Sequence, residues 1–221
     1  MGFAVQASEG FWLGQQLANS KLLPQLTSDR IQALTSPVFR LGDCSAVLVS
    51  ADGLLLTSAS CLKPYLAARL SAGFAAEQLS AEIKLAGLTA YQEREQQDLT
   101  VAINRQLNDT TTAIQRSLRQ TELEQELVSR CAAQGRHCQL YSQHYGLQFT
   151  LQYYQPYADV RLVYLPAMAV ANQIDSGWPR YDADFVLLRL YQHDKPMQSQ
   201  QFARIATQGV AEQQQIVVAD F

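Results

Sequence analysis

The sequence predicts a mainly β domain with helical insertions, and three observations support this class. Apolar runs at 46–49 and 54–57 flank an Asp-Gly pair, which is a strong hairpin signal because Gly accepts the positive φ of a tight turn. One long segment, 109–131, has apolar residues at helical spacing. After Cys138, short runs again alternate between apolar and polar residues, which is typical of strands.

The elements before the long helix are predicted to be short. Ser28 and Asp29 are suited to cap a helix over 28–34, and Pro37 ends it. The other predicted elements here are a helix at 15–23, a strand at 38–41, short helix and loop at 63–79, and two strands around a polar loop at 82–104, where Leu99, Val101 and Ile103 mark the second strand.

The long helix is expected to begin at a cap formed by Asp109 and Thr110. Its apolar stripe is predicted to consist of Ile114, Leu118, Leu123 and Leu127. The strands that follow are predicted at 139–145, 147–154, 160–165, 185–191 and 215–219.

Composition limits the classes of function. The 221 residues are 48% hydrophobic and 17% charged, which is typical of one globular domain. A net charge of −3 gives no electrostatic reason to expect nucleic acid or an anionic membrane surface as a partner. No apolar run approaches the length of a membrane span, and no cofactor motif is recognised.

The four cysteines do not have the spacing of a zinc site. Cys44 and Cys61 flank the predicted hairpin, and Cys131 and Cys138 follow the long helix. An even number of cysteines with local partners favours disulfides and an oxidising compartment, whereas four buried free thiols are the alternative.

The N-terminal residues 1–8 are interpreted as a residual signal segment or a flexible terminus. Val5, Gln6 and Ala7 fit the small-residue pattern before a signal-peptidase site, although no basic region precedes them. An ordinary frayed terminus is the alternative.

Residues 54–61 read LLLTSASC and carry a resemblance to a known family. In chymotrypsin-fold peptidases the catalytic histidine directly precedes a cysteine, and that cysteine pairs with one about seventeen residues upstream. Thr57, Cys61 and Cys44 match this context. Further matching blocks lie at 9–12, 41–46, 50–54, 131–141, 159–166 and 178–191. Together they resemble the bacterial periplasmic dipeptidyl-peptidases of serine peptidase family forty-six, of the type called seven and eleven.

The resemblance implies a fold and a setting. The fold is a chymotrypsin-like N-terminal β-barrel over 9–221 with a helical insertion around 62–133, the second barrel being absent from this chain. The implied disulfides are Cys44–Cys61 and Cys131–Cys138, and the implied location is periplasmic or secreted. Family members release dipeptides from peptide N-termini and use no cofactor. By the match, Asp184 is the triad aspartate.

Departures from the family pattern bear on activity. Where the family has Asn-His-His-Cys, this chain has Ser58, Ala59, Ser60 and Cys61, so Ser60 stands at the position of the missing general base. A hydroxyl cannot act as a base near neutral pH as imidazole does. The family's nucleophilic serine lies in a part that would follow Phe221.

The segment that binds the substrate amine in the family is shorter here. Its counterpart at 172–177 retains only Asp175, followed by Ser176, as weak candidates for substrate binding.

Each candidate has a structural alternative. Asp184 is expected to cap backbone amides rather than orient a histidine, and Ser60 as a nucleophile lacks a base. His144 and His193 are expected in solvated turns rather than at a catalytic centre. The tyrosines that either line a peptide groove or pack as strand aromatics are Tyr153, Tyr154 and Tyr157.

The sequence therefore predicts a catalytically silent homologue that binds a peptide or a protein, with self-association through an exposed barrel seam as one form of partnership. The alternative is the N-terminal portion of a longer serine-type dipeptidyl aminopeptidase, to which the end of the chain within a predicted strand points. A decayed gene product is a third reading.

Overall fold

A computed structural model describes residues 27–65, 73–144, 146–167, 184–209, 211 and 212. The chain forms two compact units. One, called here the sheet unit, consists of Gln32–Gln92 and Pro156–Phe221. The other, called the helix-bearing unit, consists of Met1–Ile31 and Glu93–Gln155. The predicted helix at 15–23, the predicted strand at 215–219 and the N-terminal segment 1–8 lie outside the described residues.

The sheet unit is built from antiparallel strands. They are β1 (Val38–Leu41), β2 (Cys44–Leu48), β3 (Leu54–Thr57), β4 (Phe74–Ala75), β5 (Ile83–Lys84), the start of β6 (Ala90–Asp98), β9 (Asp159–Leu165), β10 (Val186–Gln192) and β11 (Lys195–Pro196). Their order is β4-β9-β10-β3-β2-β1-β6, with β5 also paired to β9 and β11 to β10. Two short 3-10 helices, Ala59–Leu62 and Leu79–Ala81, connect strands.

Alternation along these strands places one face of the sheet in the core. On β10, Val186, Leu188 and Leu190 are all fully buried. Phe39 on β1 and Val160 on β9 are buried in the same cluster. This period of two is the pattern expected of strands with one covered face.

The predicted hairpin is confirmed, with β2 and β3 paired on either side of the turn at Asp52 and Gly53. Gly53 has a φ of +73°, and a Cβ there would lie 2.9 Å from the carbonyl oxygen of Leu190. The turn therefore needs glycine both for its backbone conformation and for the close approach of β10.

The helix-bearing unit packs helices on one face of a short sheet. It contains the rest of β6, β7 (His137–Gln143), β8 (Gln148–Tyr157), α2 (Thr100–Leu107) and α3 (Ala113–Ala133), while α1 (Ser28–Thr35) begins within it. Its core is an apolar cluster of Ile103, Leu107, Leu123, Cys131, Cys138, Leu140, Phe149 and Leu151.

The predicted start and stripe of the long helix are partly wrong. The hydroxyl of Thr112 accepts the backbone N–H of Gln115 at 3.2 Å, so the helix begins three residues later than expected. Leu123 is buried, whereas Ile114 and Leu118 are 74% and 61% exposed. At about 100° per residue, Ile114 is about 180° around the helix from Leu123.

The predicted second strand, marked by Leu99, Val101 and Ile103, is also wrong, because Thr100–Leu107 is helical and the polar residues before it belong to β6. Ile103 and Leu107 are buried at a spacing of four, which is the helical period. The carboxylate of Asp98 accepts the Thr100 N–H at 2.8 Å, which is the hydrogen bond of a helix start.

The helix at 28–34 and the strands predicted at 38–41, 139–145, 147–154, 160–165 and 185–191 are confirmed to within a few residues. The mainly β class is confirmed as well. Closure of the sheet into a barrel stays a prediction, and so does a single domain over 9–221. Of the helices in the described ranges, none has the length and apolar character needed to cross a membrane.

Candidate functional site

The pairing of β3 with β10 brings the predicted site residues together. Thr57 at the end of β3 lies opposite Val186 at the start of β10. The residues just after β3 therefore lie beside those just before β10. Thr57 is also held by its hydroxyl, which donates to the Ser45 carbonyl oxygen at 2.7 Å.

Asp184 accepts hydrogen bonds from the segment after β3. Ser58 Oγ donates to Asp184 Oδ2 at 2.7 Å. The backbone N–H of Ser60 lies 3.3 Å from Asp184 Oδ1 and 3.2 Å from Ser58 Oγ. Both side chains thus cap the 3-10 helix Ala59–Leu62, for which Ser58 is the N-cap residue. Asp184 itself is exposed rather than buried.

The hydroxyl groups of Ser58 and Ser60 lie 2.6 Å apart. A hydroxyl carries a single hydrogen, and Ser58 directs its own to Asp184. The hydrogen between the two serines therefore belongs to Ser60. The result is a chain of donors that runs from Ser60 through Ser58 to the Asp184 carboxylate and contains no imidazole.

The histidines take other positions. His193 lies in the turn between β10 and β11 and has a φ of +53°. Phe185 and the seven residues of β10 lie between it and Asp184, and the strand alone spans about 20 Å. His144 is exposed just after β7, and the His137 ring is 6.4 Å from that of Tyr154. In the described residues, the hydrogen bonds of Asp184 go to Ser58 and Ser60.

The structure contains both disulfides that the resemblance implies, Cys44–Cys61 and Cys131–Cys138. The first has a Cα–Cα distance of 6.1 Å and joins the open end of the β2–β3 hairpin to the 3-10 helix that carries Ser60. It therefore tethers the 3-10 helix of the site to the start of β2.

The tyrosines proposed for a peptide groove pack as strand aromatics. The Tyr157 ring is 95% buried and lies 5.8 Å from the ring of Phe39. Tyr153 lies under the guanidinium of Arg136 at 3.9 Å, and its hydroxyl donates to Gln97. The candidates for amine binding, Asp175 and Ser176, lie outside the described residues.

Sequence reasoning missed a buried charged cluster on the sheet unit. Arg189 and Arg161 are directly opposite each other on β10 and β9, an arrangement that would be repulsive without carboxylates. Glu82 accepts from Arg189 Nε at 2.8 Å, and Asp159 accepts from Arg161 at 2.8 Å and 3.0 Å. The hydrogen bond from Arg161 lowers the pKa of Asp159.

Tyr191 completes this cluster. Its hydroxyl donates to Glu82 at 2.8 Å, and its ring lies under Arg161 at 3.7 Å. Burial, together with the hydrogen bond to Glu82, raises the pKa of the Tyr191 phenol. The one signal of this cluster in the sequence is that two predicted strands each carry an arginine, Arg161 and Arg189. Each charged side chain in it has an oppositely charged partner within the cluster, which is the arrangement of a structural network rather than of a reactive site.

No group of three or more His, Cys, Asp or Glu side chains within the described ranges is placed to hold a metal ion. The site is therefore a carboxylate, two hydroxyls and a backbone amide, placed at the end of β3 and the start of β10.

Comparison with known proteins decides the family. Residues 7–221 match the family model described as Peptidase S46. The chain belongs to the peptidase S46 family. Among curated S46 relatives, it is 25% identical over 239 residues to dipeptidyl-peptidase 7 of Porphyromonas gingivalis, an alignment that covers 92% of this chain and 34% of the relative.

Solved structures agree. The chain is similar to DPP11 of Porphyromonas endodontalis in complex with the dipeptide Arg-Glu, with a TM-score of 0.71 and 26% identity over 92% of this chain and 36% of that one. A second crystal structure of DPP11 from the same organism matches with a TM-score of 0.70 and 26% identity, over 92% of this chain and 34% of that one. The chain thus spans about a third of the length of these S46 relatives.

Proposed function

We propose that this chain is a catalytically silent S46 homologue whose remaining function is to bind a peptide or a protein. The observation that carries the proposal is the donor chain from Ser60 through Ser58 to Asp184. Loss of one triad member lowers turnover by about 10⁴ to 10⁶. A hydroxyl at position 60 leaves the carboxylate without an imidazole to orient.

The proposal includes a fold and a location. The sheet unit is taken to be the N-terminal barrel of a chymotrypsin-like peptidase, within a single peptidase-like domain over 9–221 that carries a helical insertion. Two disulfides are stable in an oxidising compartment, which favours a periplasmic or secreted protein. Self-association through an exposed barrel face and amine binding by Asp175 and Ser176 are further parts of the proposal.

A second candidate is that the chain is the N-terminal portion of a serine-type dipeptidyl aminopeptidase. The coverage of 34% of dipeptidyl-peptidase 7 favours it, because the rest of such a protein would supply the nucleophile. Position 60 would still lack a base in that protein.

A peptidase assay separates these candidates. The purified chain, its Asp184→Ala variant and its Ser60→His variant are compared on a panel of dipeptidyl fluorogenic substrates. The proposal expects no release above the rate without protein in the unmodified chain. Turnover gained only by Ser60→His would place a nucleophile within the chain itself and contradict the second candidate, in which the rest of the protein supplies it. Turnover by the unmodified chain that Asp184→Ala abolishes would refute the silent assignment.

A further inference from the structure

β4 is the last strand of the sheet unit among the described strands, and its outer edge is open. Ala76 N–H donates to the Val163 carbonyl oxygen on β9 at 2.9 Å, while Ala75 lies opposite Tyr164. In an antiparallel pair, alternate residues direct their N–H and C=O groups to opposite sides. The N–H and C=O of Ala75 therefore point away from β9, and Ala75 is exposed.

Natural edge strands are protected by shortness, by charged side chains, by proline or by a covering element. Among the described residues, the protection of this edge is its length of two residues. The strand consists of Phe74 and Ala75, with Gly73 before it and Ala76 after it. One outward-facing donor and one acceptor are thus presented to solvent, and they match the backbone of a second extended chain.

A cavity of about 310 Å³ lies beside the same edge, lined by Gly73, Phe74, Ala75, Tyr164, Leu165 and Ala167. This volume is at the small end of ligand sites. Gly73 has a φ of +84°, and a Cβ there would lie 2.7 Å from the Ala167 backbone nitrogen. The wall of the cavity is therefore backbone held in close contact. The described residues of its lining carry no charged side chain, so it suits an apolar group.

An exposed aromatic pair adjoins the cavity. The rings of Tyr164 and Phe185 stack at 5.8 Å between centroids and 24° between planes. Their exposed fractions are 36% and 37%. Ala75 and Tyr164 form a non-hydrogen-bonded pair, whose side chains share one face of the sheet and lie close together. A residue paired with Ala75 from outside would direct its side chain to this same face.

We propose that the β4 edge and the adjoining cavity bind an extended peptide as an added strand, with an apolar side chain against Tyr164 and Phe185. This proposal rests on the proposed function, the binding of a peptide or a protein. It adds the place of the binding site and the chemistry of the bound peptide. Backbone hydrogen bonds to Ala75 fix the strand, and the cavity selects the side chain. Asp184 and Ser60 take no part in it.

The probe is a fluorescein-labelled, C-terminally amidated hexapeptide, Thr-Val-Phe-Val-Thr-Gly, titrated against the purified chain by fluorescence polarisation. We expect a dissociation constant of about 0.1 to 1 mM, because few groups are engaged. A peptide methylated on the Phe nitrogen is expected to bind at least about tenfold more weakly, since that N–H faces Ala75. A peptide methylated on the following Val nitrogen, which faces away, is expected to bind as the parent does.

Variants of the chain test the same contacts. Ala75→Pro removes the outward N–H but no bond to β9, and proline is tolerated on a strand edge; it is expected to weaken binding at least about tenfold. Tyr164→Ala is expected to weaken it about fivefold or more. Leu147→Ala changes a residue that is 71% exposed in the helix-bearing unit and is the matched control. Protection of the Ala76 amide from hydrogen exchange checks that β4 remains paired.

Several results would overturn the proposal. They are the absence of saturable binding up to about 2 mM, equal binding of both methylated peptides, or self-association of the chain through β4 that excludes the peptide. Because the methylated peptides are tested on the unmodified chain, misfolding of a variant leaves the proposal testable. Peptidase activity that depends on Asp184 would refute the silent assignment without changing these binding results.

Discussion

The carboxylate of Asp184 accepts hydrogen bonds from two groups of the chain itself. It accepts from the Ser58 hydroxyl and the Ser60 amide, so its two oxygens serve the start of a 3-10 helix. In the family pattern this carboxylate would orient an imidazole. In this structure the oxygens of Asp184 are instead engaged by a hydroxyl and a backbone amide of the segment after β3.

The first prediction concerns this cap. Asp184→Ala is expected to lower the free energy of unfolding by about 1 kcal/mol, the usual cost of a lost cap. Asp109→Ala, at an exposed residue in the turn before α3, is expected to change it by less than about 0.5 kcal/mol. Urea denaturation measures both. An increase in stability for Asp184→Ala would instead indicate a carboxylate retained for function at a cost in stability.

The second prediction concerns Glu93 in the helix-bearing unit. Burial raises the pKa of Glu93, and the hydrogen bond from Gln96 only partly opposes this. A raised pKa means that the folded state favours the neutral form. The contribution of Glu93 to stability is therefore full below its unfolded pKa of about 4.3 and is lost as pH rises through the folded value.

Glu93→Gln is accordingly expected to raise the free energy of unfolding at about pH 7, with a smaller difference at about pH 4. Glu95→Gln, at an exposed side chain paired with Arg136, is expected to give no such gain. Urea denaturation midpoints of the unmodified chain and both variants, measured across this pH range, test the expected difference. A gain of equal size at both ends would show that ionisation of Glu93 is not its cause.

At the scale of elements, the site depends on how the β2–β3 hairpin is fixed. Asp52 and Gly53 predict the turn from sequence, because the positive φ and the contact with β10 both require glycine there. The Cys44–Cys61 bond then joins the open end of the hairpin to the 3-10 helix. Local chemistry specifies this part of the fold, so the sequence was sufficient to predict it.

Removal of that disulfide is the third prediction. In the Cys44→Ala/Cys61→Ala variant, the cross-link between residues 17 positions apart is lost. The free energy of unfolding is expected to fall by about 3 kcal/mol, because the unfolded chain is no longer restricted by that loop. The Cys131→Ala/Cys138→Ala variant, over a separation of 7, is expected to lose about 2 kcal/mol. Denaturant titrations compare the two. A larger loss for the shorter loop would contradict the loop-entropy explanation.

Elements that depend on distant partners were harder to predict. Residues 99–104 alternate like a strand, yet Ile103 and Leu107 are buried at helical spacing against residues far along the chain. Ile114 and Leu118 extend an apolar pattern to the exposed side of α3. β4 has only two residues, too few for periodicity to reveal. In each case tertiary packing chose among patterns that the local sequence left open.

At the scale of the whole molecule, the chain belongs to the S46 family, and the described hydrogen bonds of Asp184 go to Ser58 and Ser60. The mainly β class, the hairpin and the meeting of Asp184 with the segment after β3 followed from the sequence and its resemblance. The buried partnership of Glu82, Arg189 and Tyr191 did not, because it joins residues 107 and 109 positions apart in sequence. Such contacts depend on strand order, which composition and spacing do not give.

The central claim is that no imidazole lies beside Asp184. The chain has three histidines, and their ring proton resonances can be recorded by NMR in the unmodified chain and in Asp184→Asn, at about pH 5 and about pH 8 on either side of the ordinary histidine pKa. We expect the resonances of all three rings to be unchanged by the substitution at both pH values. A ring whose resonances move when Asp184 loses its charge would place a histidine against the carboxylate and contradict the account.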